Sequence, residues 1–130
     1  MKLSRLIKSE CGQAIVETAL IMPLLILMLM GMVEMGRLSN AYLAVTHAAR
    51  HGARYGAVGG SNAEIIDKVK YAAVPLDVDK LAVTIDPATG RITGNDLSIT
   101  VTYPVELIIP IFSGLASPVN VKSTVIMRLE

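Results

Sequence analysis

Hydrophobic and polar positions follow three different rules along this chain. From Ala14 to Val33 there is no period: twenty residues are almost all apolar, with Glu17 as the only charge. Twenty helical residues at 1.5 Å each reach about 30 Å, the thickness of a bilayer's hydrocarbon core. A helix apolar all round must be covered by protein or by lipid, and a 130-residue chain has little mass with which to wrap one. The stretch therefore reads as a transmembrane span. Beyond it the period becomes helical. Leu38, Ala41, Tyr42, Val45, Ala48, Ala49, Gly52 and Gly56 recur at steps of three and four, with Arg37, Asn40, His47, His51 and Arg54 on the opposite face. Gly59-Gly60 is a stop signal. The pattern predicts one helix over residues 13–58. Pro23 lies inside it, and a kink or locally unwound turn is expected there, because proline removes one helical hydrogen bond.

A short second helix is predicted over "SNAEIIDKVKYAAVP". Ser61 and Glu64 have the spacing of a capping box, Ile65, Ile66, Val69 and Ala73 make an apolar side, and Pro75 ends the run. The period then falls to two. "LAVTID" (81–86), "LSITVTY" (97–103) and "VNVKSTVIMRLE" (119–130) alternate apolar with polar residues and read as three half-buried strands, with turns at Pro87–Gly90 and Gly94-Asn95-Asp96. Their apolar face needs a cover, which the second helix and the amphipathic end of the first can supply. The expected fold is α+β: a long N-terminal transmembrane and amphipathic helix, a short helix, and a small antiparallel sheet of about three strands. Residues 1–12 stand apart as a basic leader, 13–58 as the helix and 59–130 as a small head. Between the last two strands "PVELIIPIFSGLASP" (104–118) is apolar without a period. Its Ile108, Ile109, Ile111, Phe112 and Leu115 either tuck over the small core or meet a partner or the membrane surface.

Charge and chemistry narrow the function. The net charge is +1, with one Phe, four Tyr and no Trp, so neither a basic field nor stacking platforms for nucleic acid are present. Cys11 is the only cysteine, which excludes an internal disulfide. A lipoprotein reading of Cys11 fails because the apolar stretch follows the cysteine. An ordinary signal peptide fits poorly, since its apolar region would be about 7–15 residues long. Lys2, Arg5 and Lys8 precede the span and Arg37 is the first cation after it, a modest bias placing the N-terminus in the cytoplasm. His47 and His51, four apart on one helical face, could touch one metal, but no third ligand lies near in sequence, and a solvated polar face is the alternative. No nucleophile elbow or glycine-rich phosphate loop occurs. No enzyme activity, metal, cofactor or small-molecule substrate is expected.

Glu17 needs a reason. An unpaired carboxylate at mid-membrane costs about 2.5–3.5 kcal/mol, less near the interface. Either it snorkels to the interface or it finds a cation.

The string "GQAIVETALIMPLLILMLMGMVEMGRL" supplies a resemblance. A basic leader ending in Gly12, then Gln13-Ala14-Ile15-Val16-Glu17 and a long apolar run, resembles a type IV prepilin processing site. With Pro23 in the span, the Glu34-x-x-Arg37 pair, "AARHGARYGAV" and the closing strings "VTYPVELIIP" and "STVIMRLE", the chain resembles the TadE-like family of tight-adherence pilus proteins. Thr18 departs from the pattern, where an aromatic commonly follows the glutamate. The resemblance implies cleavage by a prepilin peptidase between Gly12 and Gln13. The new α-ammonium of Gln13 would then sit one turn from Glu17. A neighbouring subunit's ammonium would meet the same carboxylate when helices stack with an axial offset, making Glu17 a registration device. It further implies a minor pilin or pseudopilin in the bacterial inner membrane, single-pass, its head extracytoplasmic. Its partners would be other pilin-like subunits, the peptidase, the inner-membrane assembly platform and the lipid bilayer. The alternatives are a major filament subunit and an uncleaved bitopic scaffold. Independently, Ala48, Gly52 and Gly56, small and four apart, form a stripe that another backbone can approach closely.

Overall fold

In a computed structural model, residues 10–109, 114 and 117–130 are described. Helix α1 spans Glu10–Ala57, α2 Asn62–Ala72, and strands β1 Ala82–Asp86, β2 Asp96–Val105 and β3 Val119–Arg128 follow, with a 3₁₀ turn at Val78–Lys80 before β1. This is the α+β arrangement anticipated above. The chain divides into two compact units, Met1–Met35 and Gly36–Glu130.

In the first unit the apolar stretch of α1 is exposed on every side. Ile15, Leu20, Leu24 and Leu29 are all more than half exposed, and so are Met28, Met30 and Met32. No part of the apolar window is buried in the protein, and the helix is long and apolar enough to cross a membrane. The helix continues through Pro23 without interruption, so the unwound turn expected there is not formed. Thr18 Oγ donates to the Ala14 carbonyl at 2.8 Å, satisfying a polar group that hydrocarbon would otherwise strand.

In the second unit the sheet order is β1-β2-β3, antiparallel throughout. β2 is central: Ile99 lies opposite Ile85 on one side and Val125 on the other. The alternation holds, with Leu97, Ile99 and Val101 fully buried and Val83, Ile85, Val125 and Met127 half-buried against them. Val45, Ala48, Ala49 and Ala53 of α1 and Ile65 and Val69 of α2 complete the core. Tyr42, expected on this inner face, is instead 52% exposed. Ala41 beside it is buried, and Tyr42 lines the groove between α1 and β3.

Local chemistry sets the boundaries. α1 ends in a Schellman motif: Gly60 N–H donates to the Tyr55 carbonyl at 3.3 Å and Gly59 N–H to that of Gly56 at 3.1 Å. Gly59 has φ +93°, a conformation glycine adopts without penalty, and Val58 belongs to the turn. At the start of α2, Ser61 and Glu64 make the capping box in both directions. The Ser61 hydroxyl, at 2.7 Å, and the Ser61 N–H, at 2.9 Å, donate to the Glu64 carboxylate and hold it below its ordinary value of 4.5. β2 runs to Val105, so Pro104 and Val105 belong to the strand and not to the connection. Proline is tolerated there because β1 has already ended opposite Thr102, leaving one side of β2 with no ladder to join.

One side chain invisible to periodicity ties the turns together. Arg91, half-buried between β1 and β2, donates to the Gly60 carbonyl at 2.6 Å, to the Asn62 side-chain oxygen, and to the Pro87 carbonyl at 3.4 Å. Asn62 in turn donates to the Ala88 carbonyl at 2.8 Å. The α1–α2 corner is thereby fastened to the β1–β2 connection.

Candidate functional site

The sequence singled out three groups of residues, and they fall in different surroundings. The first is on the apolar half of α1. Gly12 is half-buried and has a polar partner, while Gln13 and Glu17 are exposed. Four residues apart on a helix, Gln13 and Glu17 share one face. Ala14, Ile15, Thr18, Ala19 and Met22 line a shallow groove of about 420 Å³ beside them. Glu34 is 9% exposed and engaged, and Arg37 donates to the Glu106 carbonyl at 3.5 Å.

The second group is the small-residue stripe. Ala48, Gly52 and Gly56 are all buried. A Cβ placed on Gly52 would strike Val69 of α2 and lie 3.7 Å from Ile99 of β2. One on Gly56 would lie 2.5 Å from Leu97 and 2.9 Å from Ile65. The stripe is thus occupied by side chains of this chain's own α2 and β2.

The third group is the apolar connection. Ile108 is 68% exposed and engaged, and Ile109 is buried, so two adjacent residues of similar character take opposite roles. Ile111, Phe112 and Leu115 lie outside the described residues.

A fourth feature emerges only in three dimensions. His47, Arg50, His51 and Arg54 of α1 face Met127, Arg128 and Glu130 across a groove of about 900 Å³. The helical period marks His47, His51 and Arg54 as a polar face, but it does not reveal the strand beside them. Among the described residues, no group of three or more His, Cys, Asp and Glu side chains comes together as metal ligands would. The histidines are instead interleaved with guanidinium groups. Lys80 and Glu106 form an exposed ion pair at 3.0 Å, and that hydrogen bond pushes the Lys80 ammonium above its ordinary value.

A long apolar helix continued as the covering helix of a small three-stranded head defines a class of single-span, membrane-anchored α+β proteins. Residues 12–54 match the family model of the TadE-like protein, and over that segment the chain is similar to that family. The match covers about a third of the chain, beginning at Gly12 and closing at Arg54, so α2 and the sheet lie outside it. No curated protein matches the chain, and neither does any solved structure.

Proposed function

We propose that the chain is a minor pilin or pseudopilin of a tight-adherence system, cut by a prepilin peptidase between Gly12 and Gln13. It serves assembly of the pilus and catalyses nothing. The observation that carries this reading is the start of α1. Gly12, in the first turn of α1, has no side chain to obstruct an approaching peptidase, and five residues on, Glu17 shares a face with Gln13 and stands exposed among apolar residues. The TadE-like match opens at that same glycine.

After cleavage, the α-ammonium of Gln13 and the carboxylate of Glu17 form complementary charges one turn apart. Two such helices offset along their axes satisfy each other's charge, and the groove lined by Ala14, Thr18 and Ala19 admits the close approach this needs. In this reading the N-terminus faces the cytoplasm and the head lies outside. The second reading, a major filament subunit, is disfavoured because 72 residues follow the helix as separate folded structure, from Gly59 to Glu130. In the third, a bitopic scaffold, the leader is retained.

Intact mass of the protein isolated from its own membranes separates these readings. A mature chain beginning at Gln13 in cells with an active peptidase, and a full-length chain for Gly12→Val that still inserts, are the expected results. A wild-type chain that keeps Met1 in such cells leaves the scaffold as the surviving reading.

A further inference from the structure

β3 is ten residues long and pairs with β2 alone. Among the described residues its other edge has no strand beside it. A bare edge of that length is a template for another extended chain, and small proteins usually blunt such an edge. Here it is bordered by α1 instead, and the border is not uniform. Near the start of β3, Val119, Asn120, Val121 and Lys122 face Leu38, Ser39, Tyr42 and Leu43 across a mostly apolar groove of about 630 Å³. Near its end, Met127 and Arg128 face His47, Arg50, His51 and Arg54 across the basic groove. The two grooves follow one another along the same strand and the same helix. Leu38 to Ala57 is about 30 Å of helix, and ten strand residues are about 33 Å, so the two grooves together reach from one end of the edge to the other.

The arginines of the basic groove outnumber the acidic residues that line it. Among the described residues, His47, Arg50, His51 and Arg54 have no hydrogen-bond or ion-pair partner in this chain. Arg128 donates its Nε to the Gly94 carbonyl at 2.9 Å, and Asp96 is its cross-strand neighbour. Glu130 is the one carboxylate lining the basic groove. A cation in the last turn of a helix is explained by the helix dipole, which accounts for Arg54. It does not account for Arg50, His47 and His51, which lie further back.

We propose that the free edge of β3 takes up an extended acidic segment of a partner pilus protein as a fourth strand, its carboxylates lying against Arg50 and Arg54 and its apolar residues against Leu38, Tyr42 and Leu43. Alternate side chains of an added strand point toward α1, so the matching partner carries acidic residues at every second position over one half and apolar residues at every second position over the other. Addition is antiparallel, as are both pairings already in the sheet. The acidic half of the partner is then its N-terminal half. Guanidinium forks hold carboxylates in fixed geometry, which gives the edge a register as well as affinity.

The probe is a synthetic peptide, acetyl-Thr-Glu-Thr-Glu-Thr-Val-Thr-Val-Thr-Val-amide, labelled with a fluorophore and titrated with the full chain in detergent micelles. Three companions complete the set: the same peptide with Lys for Glu, one with proline at two Thr positions and the charges kept, and the protein variant Arg50→Glu/Arg54→Glu. The acidic peptide binds, and its affinity falls about tenfold or more on changing Glu to Lys, on inserting proline, and on reversing the two arginines. The Lys peptide regains binding to the reversed variant, and isotope-labelled carbonyls of the bound acidic peptide report sheet pairing in the infrared. Equal binding of the proline peptide overturns strand addition, and equal binding of the Lys peptide overturns charge selection. Failure of the acidic peptide to bind at any concentration the assay reaches overturns the proposal, and the peptide comparisons on the unmutated chain need no variant to fold. The assay requires neither cleavage nor pili, so its failure leaves processing after Gly12 standing, and a retained leader leaves the docking edge standing.

Discussion

Gly52→Ala puts one methyl group where the head has least space for it. Gly52 is buried on α1, and an added Cβ collides with Cγ2 of Val69 and comes within 3.5 Å of Ile65 Cγ2. Val69 is fully buried and β-branched, so its methyl cannot swing aside without an unfavourable rotamer or a shift of α2. Overpacking of this kind costs about 1–3 kcal/mol. Against it stands the gain of replacing glycine by alanine inside a helix, about 1 kcal/mol. The net expectation is a loss of up to about 2 kcal/mol, and for a head of this size each kcal/mol lowers Tm by roughly 4–8 °C. Gly36→Ala is the internal control. It lies on the same helix with nothing within 4 Å of its added Cβ, so only the propensity term applies and stability should hold or rise. The assay is urea unfolding of the full chain in mild detergent, followed by tyrosine fluorescence, since Tyr55 and Tyr103 are half-buried in the head. A double-mutant cycle with Val69→Ala then isolates the contact. Val69→Ala removes the struck methyl, so the pair should lose less than the two single changes added together, with a coupling of about 0.5–3 kcal/mol. A Gly52→Ala protein as stable as Gly36→Ala, with no coupling to Val69, would refute the reasoning.

Four further outcomes are expected. Glu17→Gln should leave insertion and the mature mass unchanged while co-purification with other pilin-like subunits from membranes is lost; normal co-purification means that the carboxylate only snorkels. Gly59→Ala forces a side chain into a left-handed conformation at the end of α1 and should cost about 1–2 kcal/mol in the same urea titration. Arg91→Ala releases the α1–α2 corner from the β1–β2 connection and should cost about 2 kcal/mol, with faster amide exchange at Gly60 and Asn62 as the local signature. The Glu64 carboxyl lies below its ordinary 4.5 when folded, so its stabilisation is complete above that value and is lost as pH falls through the lowered one. Glu64→Gln should remove that acid-side decline in the melting temperature and leave the rest of the curve unchanged.

Periodicity alone determined the element order of this protein. The uninterrupted apolar run, the switch to a step of three and four after Gly36, and the switch to a step of two after Leu81 are each enforced by which side of an element must avoid water. The Ser61–Glu64 cap and the Gly59-Gly60 stop were legible for the same kind of reason, since both act through backbone groups within a few residues. Gly12 and Glu17 stood out because a glycine and a carboxylate are conspicuous beside an apolar run. What could not be read locally was which partner each face meets. Tyr42 has the spacing of an inner residue, yet it lines the groove between α1 and β3 with half its surface exposed while Ala41 beside it is buried. Pro104 and Val105 look like loop and are strand, because the early end of β1 frees one side of β2. Arg91 follows no pattern, and its role exists only because residues 31 and 29 positions away, Gly60 and Asn62, are folded back against it. His47, His51 and Arg54 read as a solvated stripe until β3 is laid alongside them. A side chain's own position sets whether it must leave water, whereas the charge and shape of a groove depend on two distant segments meeting, and only the tertiary fold decides that.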